Sequence, residues 1–286
     1  MPIRGENDID QAGPDELLTV IEPQSSWMRL DLAELWRFRE LLLLLVWRDI
    51  SVRYRQSLLG IGWAVFRPLV STLIFTLVFS LLVRVQTEVP YPLFAFSAMI
   101  PWLYFSSALS AVTSSVTGHQ ALLTKVYFPR LVLPFAALGP GLVEVLIQLC
   151  IFIPLMWYFD IAPSWRVVAL PAFILLALLT AMSFGIWLTA LNVRYRDIGM
   201  AVPFVVQIWM YLCPIVYPIT LVPERFQTLY ALNPLVGVIE GFRWSLLGTT
   251  APNWEAIAIS VLVMGTILLS GLYYFHRAES WFADII

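Results

Sequence analysis

Lysine is nearly missing from this chain of 286 residues: Lys125 is the only one, and every other cationic side chain among the 17 is arginine. A phosphate-cradling loop of the Gly-x-x-x-x-Gly-Lys-Ser/Thr type needs a lysine followed by a hydroxyl residue. Lys125 is followed by Val126, so the chain does not hold ATP by that motif. Cysteine and histidine are almost as scarce. Cys150, Cys213, His119 and His276 stand far apart, with no metal-ligand spacing, which argues against a zinc site or a disulfide framework. There is no Gly-x-Ser-x-Gly elbow. No membrane face carries the cluster of carboxylates that an integral-membrane glycosyltransferase would need for a metal–diphosphate donor, so an enzyme is disfavoured. Charge itself is thin, at 13% of residues against about 25% in soluble domains. What fills the space is apolar: 60% hydrophobic residues and a mean hydropathy of +0.81. The chain is an integral membrane protein. A net charge of −2 leaves no bulk basicity for nucleic acid.

Uncharged runs set the spans. A helix needs ~20 residues to cross ~30 Å of hydrocarbon, and six stretches can do so, at about 61–84, 90–117, 131–158, 167–193, 198–218 and 255–275. The fold class expected is all-α. Arg4, Arg29, Arg37, Arg39, Arg48, Arg53, Arg55, Arg67, Lys125, Arg130, Arg194, Arg196 and Arg277 fall on one side of these spans; Arg84, Arg166, Arg225 and Arg243 fall on the other. Cationic residues gather in the cytoplasm, so both termini are expected inside, in a multi-pass protein of the cytoplasmic membrane. Residues 1–28 are acidic and lack the apolar core of a signal peptide; they read as a disordered cytoplasmic tail.

Two segments fit neither span nor loop. Within 29–59, Asp31 and Glu34 form a helix-start signal, and Leu32, Leu35, Trp36, Leu43, Val46, Trp47 and Ile50 recur at helical spacing. The apolar run is too short to span, so an amphipathic helix in the cytoplasmic interface is expected. The permease domain then runs over 60–286. Its outer connection, about 222–250, is too apolar for water, yet Asn233-Pro234, Arg225, Glu240 and Arg243 stop it from spanning. This pattern predicts a re-entrant helical hairpin hinged at Asn233-Pro234, with Glu240 and Arg243 as an exposed pair on one helical face.

The remaining features describe a pathway. Arg53, Arg55 and Arg67 cluster at the cytoplasmic mouth, and guanidinium forks suit phosphate oxygens; topology alone also gathers arginines there. Phe75, Phe79, Phe204, Trp209, Tyr211 and Tyr217 are candidate lining residues, because aromatic faces stack on sugar C–H faces; interfacial belts and core packing compete for the same residues. Glu144 sits inside a span, where an acid costs roughly 2.5–3.5 kcal/mol on insertion scales. Gln148, one turn on, is its expected partner, and a paired carboxyl at a helix contact is the alternative to a transport role.

The run Trp47-Arg-Asp-Ile-Ser-Val-Arg-Tyr-Arg-Gln-Ser-Leu-Leu-Gly60, continuing to Arg67-Pro68, closely resembles the N-terminal signature of polysaccharide-export permeases. These are the membrane subunits of type-2 ATP-binding-cassette exporters for O-antigen and teichoic acid. Tyr127-Phe-Pro-Arg-Leu-Val-Leu-Pro134, Leu191-Asn-Val-Arg-Tyr-Arg-Asp197, Leu232-Asn-Pro-Leu-Val-Gly-Val-Ile-Glu-Gly-Phe-Arg243 and Glu279-Ser-Trp-Phe-Ala-Asp284 match in order. The resemblance implies a homodimer docked on two copies of a separate ATPase subunit, which would carry ATP and Mg; no cofactor is expected in this chain. It implies a translocation channel, lined partly by the first and fifth spans, for a polyprenyl-diphosphate-linked glycan, with O-antigen favoured and hence a place in lipopolysaccharide biosynthesis. It places Leu122, Lys125, Tyr127, Arg130, Arg194 and Arg196 at the ATPase interface and makes the outer hairpin a gate. A drug- or lipid-exporting permease of the same superfamily and an ion-coupled secondary transporter stay open as alternatives.

Overall fold

The computed structural model describes residues 36–55, 60–123, 125–126 and 128–285, with the side chains of Glu224 and of 280–285 left aside. The acidic tail, the helix-start signal at Asp31–Glu34 and Tyr127 lie outside the described residues. The order is α1 (Arg39–Arg55), α2 (Gly62–Phe75), α3 (Tyr91–Ser114), α4 (Gln120–Leu123), α5 (Val132–Tyr158), α6 (Leu170–Arg194), α7 (Asp197–Tyr211), α8 (Glu224–Ala231), α9 (Pro234–Leu247) and α10 (Trp254–Ile285). No strand occurs among the described residues.

Among the described residues, five helical stretches are long and apolar enough to cross a membrane: Gly62–Leu82, Tyr91–Ser114, Val132–Tyr158, Trp165–Arg194 and Trp254–Glu279. The expected fifth span, 198–218, is helical only as far as Tyr211. Fifteen residues at ~1.5 Å rise give ~22 Å, short of the hydrocarbon thickness. The cause lies in the next residues. Pro214 disfavours a helical conformation at Cys213, and Pro218 repeats the block four residues later.

Helix α3 is the hub. Of its most apolar window 78% is buried, against 11% for the first span. It packs on α2, α5, α6, α7 and α9. Its hydroxyls would be costly in such surroundings, so they turn back onto the helix: Ser106, Ser107, Ser110 and Thr113 donate to carbonyls three or four residues earlier. Thr189 of α6 donates to Val112 O at 2.7 Å, and Asn192 donates to Thr113 O at 3.1 Å while accepting from Gly199 N at 2.8 Å. One amide therefore ties the C-terminal ends of α3 and α6 to the start of α7.

The stretch that begins with α2 changes character in its second half. From Thr76 to Leu82 it is a π-helix, with Val83 N donating to Val78 O at 2.9 Å. Such wide turns cluster at functional positions because they rotate the side chains that follow.

Candidate functional site

Several of the candidate residues assemble around α1. This helix obeys the dipole rule, with Glu40 in its first turn and Arg53 and Arg55 in its last. It packs on α5 through Val46, which sits over Gly139: a Cβ there would meet Val46 Cγ1 at 2.6 Å. Seven residues on, Arg53 Nη1 donates to Glu144 Oε1 at 2.7 Å. The two contacts occur in the same order along both helices, so α1 follows α5 rather than crossing it once. The expected partner of Glu144 was Gln148. Instead Gln148 turns inward, 2% exposed, with Oε1 unpartnered among the described residues, while Glu144 faces α1. Tyr54, in the last turn of α1, has its phenol pushed up by burial and then by the Glu144 carboxylate.

Arg53 is thus engaged, whereas Arg55 and Arg67 are exposed, Arg67 lying 5.9 Å from the centroid of the Trp63 ring. Arg48 pairs with Asp49 at 2.7 Å and reaches His119 Nε2. Because the guanidinium only donates, His119 accepts through Nε2 and donates through Nδ1 to Ser115 O at 2.6 Å. That contact fastens α1 to the turn that follows the C-terminal end of α3. Of the residues expected at an ATPase interface, Lys125, Arg194 and Arg196 are exposed and Leu122 is half-buried. Arg130 instead binds within the chain, to the Glu279 carbonyl and, at 4.0 Å, its carboxylate.

The six candidate lining aromatics do not share one face. Phe204 and Tyr211 are exposed along α7, with Gln207 exposed between them. Phe75 and Phe79 turn inward, half-buried against Tyr91, Phe94 and Ala95. Trp209 packs edge-on to Phe105 and Phe184 and donates to Asn233 Oδ1 at 3.2 Å. Tyr217 bonds the Tyr211 carbonyl at 3.1 Å and the Tyr230 hydroxyl at 2.8 Å.

Helices α8 and α9 are separated at Leu232-Asn233, where the sequence places the break. Asn233 caps α9 by accepting from Leu235 N at 3.2 Å, Pro234 fills the first helical position, and Gly248 ends the helix with a φ of 65°. The Asn233 amide also donates to Leu212 O at 3.1 Å. A residue expected as a free hinge is therefore fastened to the end of α7.

Nor is the Glu240–Arg243 pair exposed. Arg243 is 3% exposed; it donates to Glu240 at 2.7 Å, to Ile215 O at 3.0 Å and to Phe94 O at 3.4 Å, and lies 3.6 Å from the centroid of the Phe94 ring. Spacing correctly made the pair neighbours, but α3 and the 212–218 segment bury it. Arg166 closes the end of α9, donating to Gly248 O at 2.8 Å and Thr249 O at 2.9 Å over the Trp244 ring. Beside it, Glu88 accepts from Thr250 Oγ1 at 2.5 Å and Thr250 N at 3.0 Å, which holds its carboxyl below the ordinary value. No metal-binding group of His, Cys, Asp or Glu occurs among the described residues.

The chain is similar to the O-antigen export system permease protein RfbA of Myxococcus xanthus, 29% identical over 255 residues, covering 88% of this chain and 98% of the relative. It is similar to a protein of the same name from Klebsiella pneumoniae, 27% identical over 248 residues, covering 86% and 95%. The polysialic acid transport protein KpsM of Escherichia coli is 26% identical over 247 residues, covering 81% and 91%. The family described as ABC-2 type transporter matches residues 40–247, from α1 through the last residue of α9. Since that match takes in most of the chain, from α1 to α9, the protein belongs to the ABC-2 type transporter membrane family.

Proposed function

We propose that this chain is the permease subunit of an ATP-driven exporter that moves a polyprenyl-diphosphate-linked polysaccharide, O-antigen first, out across the cytoplasmic membrane. The observation that supports this best is the near end-to-end correspondence with permeases named for O-antigen export, 98% of the Myxococcus relative being covered. The protein works as a homodimer on two copies of a separate ATPase subunit, which binds ATP and Mg. Six segments cross the bilayer with both termini inside. The fifth consists of α7 and the irregular stretch 212–218, where non-helical backbone is tolerable because protein surrounds it: residues 213–216 are buried.

Within this reading α1 lies at the cytoplasmic interface. Arg55 and Arg67, being exposed, meet the lipid diphosphate, while Lys125, Arg194 and Arg196 face the ATPase. The exposed stripe of α7 gives the pathway Phe204 and Tyr211 for stacking and Gln207 for hydroxyls. An amide left facing lipid is costly, which favours a wet, sugar-filled surface over acyl chains. The hairpin α8–α9 covers the exit.

The test is deletion and complementation in an O-antigen-producing host. Loss of the gene should remove surface polymer and leave lipid-linked polymer inside, and the restored gene should reverse both. The Arg55→Gln/Arg67→Gln variant should complement poorly while still assembling with the ATPase. Purified alone, the chain should hydrolyse no ATP above background. Surface polymer unaffected by deletion overturns the reading.

A further inference from the structure

We infer that Arg53 and Glu144 are a positioning pair, the contact through which a movement of α1 is carried into the α5 span. The inference rests on the export reading for what is moved; the contact itself rests on geometry. Helix α1 packs along α5, and two of the contacts between them differ in kind. Val46 over Gly139 is an apolar contact on bare backbone, and contacts of that kind let helices slide and repack at small cost. Arg53 to Glu144 at 2.7 Å is not like this. Both groups are largely shielded, with 33% and 20% of their side-chain surface exposed. Parting them strands a carboxylate on a span and a guanidinium beside it, so the pair has one favoured register. Fixing register is the best-attested use of a shielded ion pair.

The surroundings make α1 suited to act as a lever. Leu43, Leu44 and Trp47 are exposed, so one long face has no protein neighbour among the described residues. Its opposite side is held at Arg48–His119, on the turn after α3, and at Arg53–Glu144, on α5. The first holds the helix beside the C-terminal end of the hub; the second reaches part-way along a span. A push on α1 from the cytoplasmic side therefore turns it about the first contact and displaces α5 through the second. Arg53 is in this account a positioning residue and not a ligand of the diphosphate. The two roles make opposite demands: a ligand for phosphate must remain cationic, whereas a positioning pair needs only opposite charges in register.

The experiment uses the full exporter, both in cells and as the purified permease–ATPase complex. It compares Arg53→Gln, Glu144→Gln, Arg53→Lys and the exchange Arg53→Glu with Glu144→Arg. Exported polymer and ATP hydrolysis are both measured. Each Gln variant should lower export about tenfold, the scale of a direct pairwise coupling, while the complex still hydrolyses ATP. Lysine at position 53 should restore much of the loss, and the exchange should bring export back to within about threefold of wild type. Full export by either Gln variant overturns the inference. So does an exchange variant that assembles and hydrolyses ATP yet exports no better than the Gln variants, because Arg53 would then be needed as a cation. Failure of the export reading is seen separately, as a wild-type complex that moves no polymer.

Discussion

Arg243→Met should weaken the outer half of the protein more than any substitution of an exposed arginine. The guanidinium is 3% exposed and bonded at once to Glu240, to Ile215 O and to Phe94 O, with its plane over the Phe94 ring. Methionine fills most of the volume but leaves Glu240 without its cation and the Ile215 carbonyl without its donor. Removing one member of a buried ion pair costs about 3–5 kcal/mol, most of it from the charge left behind. Glu240 keeps 20% of its side-chain surface, so the lower end, about 3 kcal/mol, is the better expectation. For a protein of this size each kcal/mol moves the midpoint by about 2–4 °C, which gives a fall of about 6–12 °C in detergent. Replacing Glu240 as well, with Gln, should recover part of it. The control is Arg225→Met, since Arg225 is exposed and contacts the adjacent Phe226 ring; its shift should stay within about 0.5 kcal/mol. Thermal unfolding followed by intrinsic fluorescence reads all four. If Arg243→Met and Arg225→Met melt within 2 °C of each other, the burial argument is refuted.

Asn233→Ala removes the cap of α9 and the bonds to Trp209 and Leu212; a cap alone is worth about 1 kcal/mol, so about 2 kcal/mol of destabilisation is expected in the same assay. A Cβ at Gly139 meets Val46, so Gly139→Ala should cost about 1–3 kcal/mol by overpacking, and Val46→Ala in the same chain should relieve it; additive losses would show that the two residues do not meet. The folded carboxyl of Glu88 ionises below its ordinary 4.5, so its tie to Thr250 is complete above that value and lost as pH falls through the lowered one. Protection of the Thr250 amide against hydrogen exchange should fall in that acid range, and Glu88→Gln should remove the dependence.

How much of this was readable in the sequence depended on the distance over which a residue acts. Helices α3, α5, α6 and α10 were legible because a long uncharged run admits one structure in lipid. The break at Asn233-Pro234 was legible because its chemistry is local. The stop after Tyr211 was available in the same way, from Pro214 and Pro218, but the apolar character of 212–218 outweighed it. The ion pair at positions 240 and 243 was found through helical spacing, and its burial was missed, since the groups that cover it come from Phe94 and Ile215. Glu144 shows the same limit more sharply. Its neighbour on the helix was a reasonable partner, but the actual one is 91 residues away, on a helix whose register no periodicity reveals.

Helices α8 and α9 differ in what holds each of them. Twelve residues of α9 are buried, and its two ends are fixed, at Asn233 by the end of α7 and at Gly248 by Arg166. Swinging α9 at Asn233-Pro234 would break the cap, the Trp209 bond and the Arg243 contacts together, several kcal/mol with no replacement in view. Helix α8 is different. It is eight residues long, with Arg225, Phe226, Leu229 and Tyr230 on it, and the first three of these are exposed. Its tie to the 212–218 segment is one hydroxyl pair, Tyr217 to Tyr230 at 2.8 Å; beside it Gln227 donates to Val222 O at 3.1 Å, and Ser260 of α10 donates to Ala231 O at 2.9 Å. A neutral hydrogen bond contributes about 0.5–1.5 kcal/mol net, small enough to yield under the passage of polymer. If a gate moves at this exit, the energetics put the motion in α8 and place the Asn233-Pro234 break at the fixed edge of the moving part. A disulfide between α9 and α10, which already pack together, should therefore leave export intact in a background without Cys150 and Cys213. One that ties α8 to the 212–218 segment should stop export until it is reduced. The opposite pattern, arrest by the first tether and normal export with the second, would return the hinge to α9.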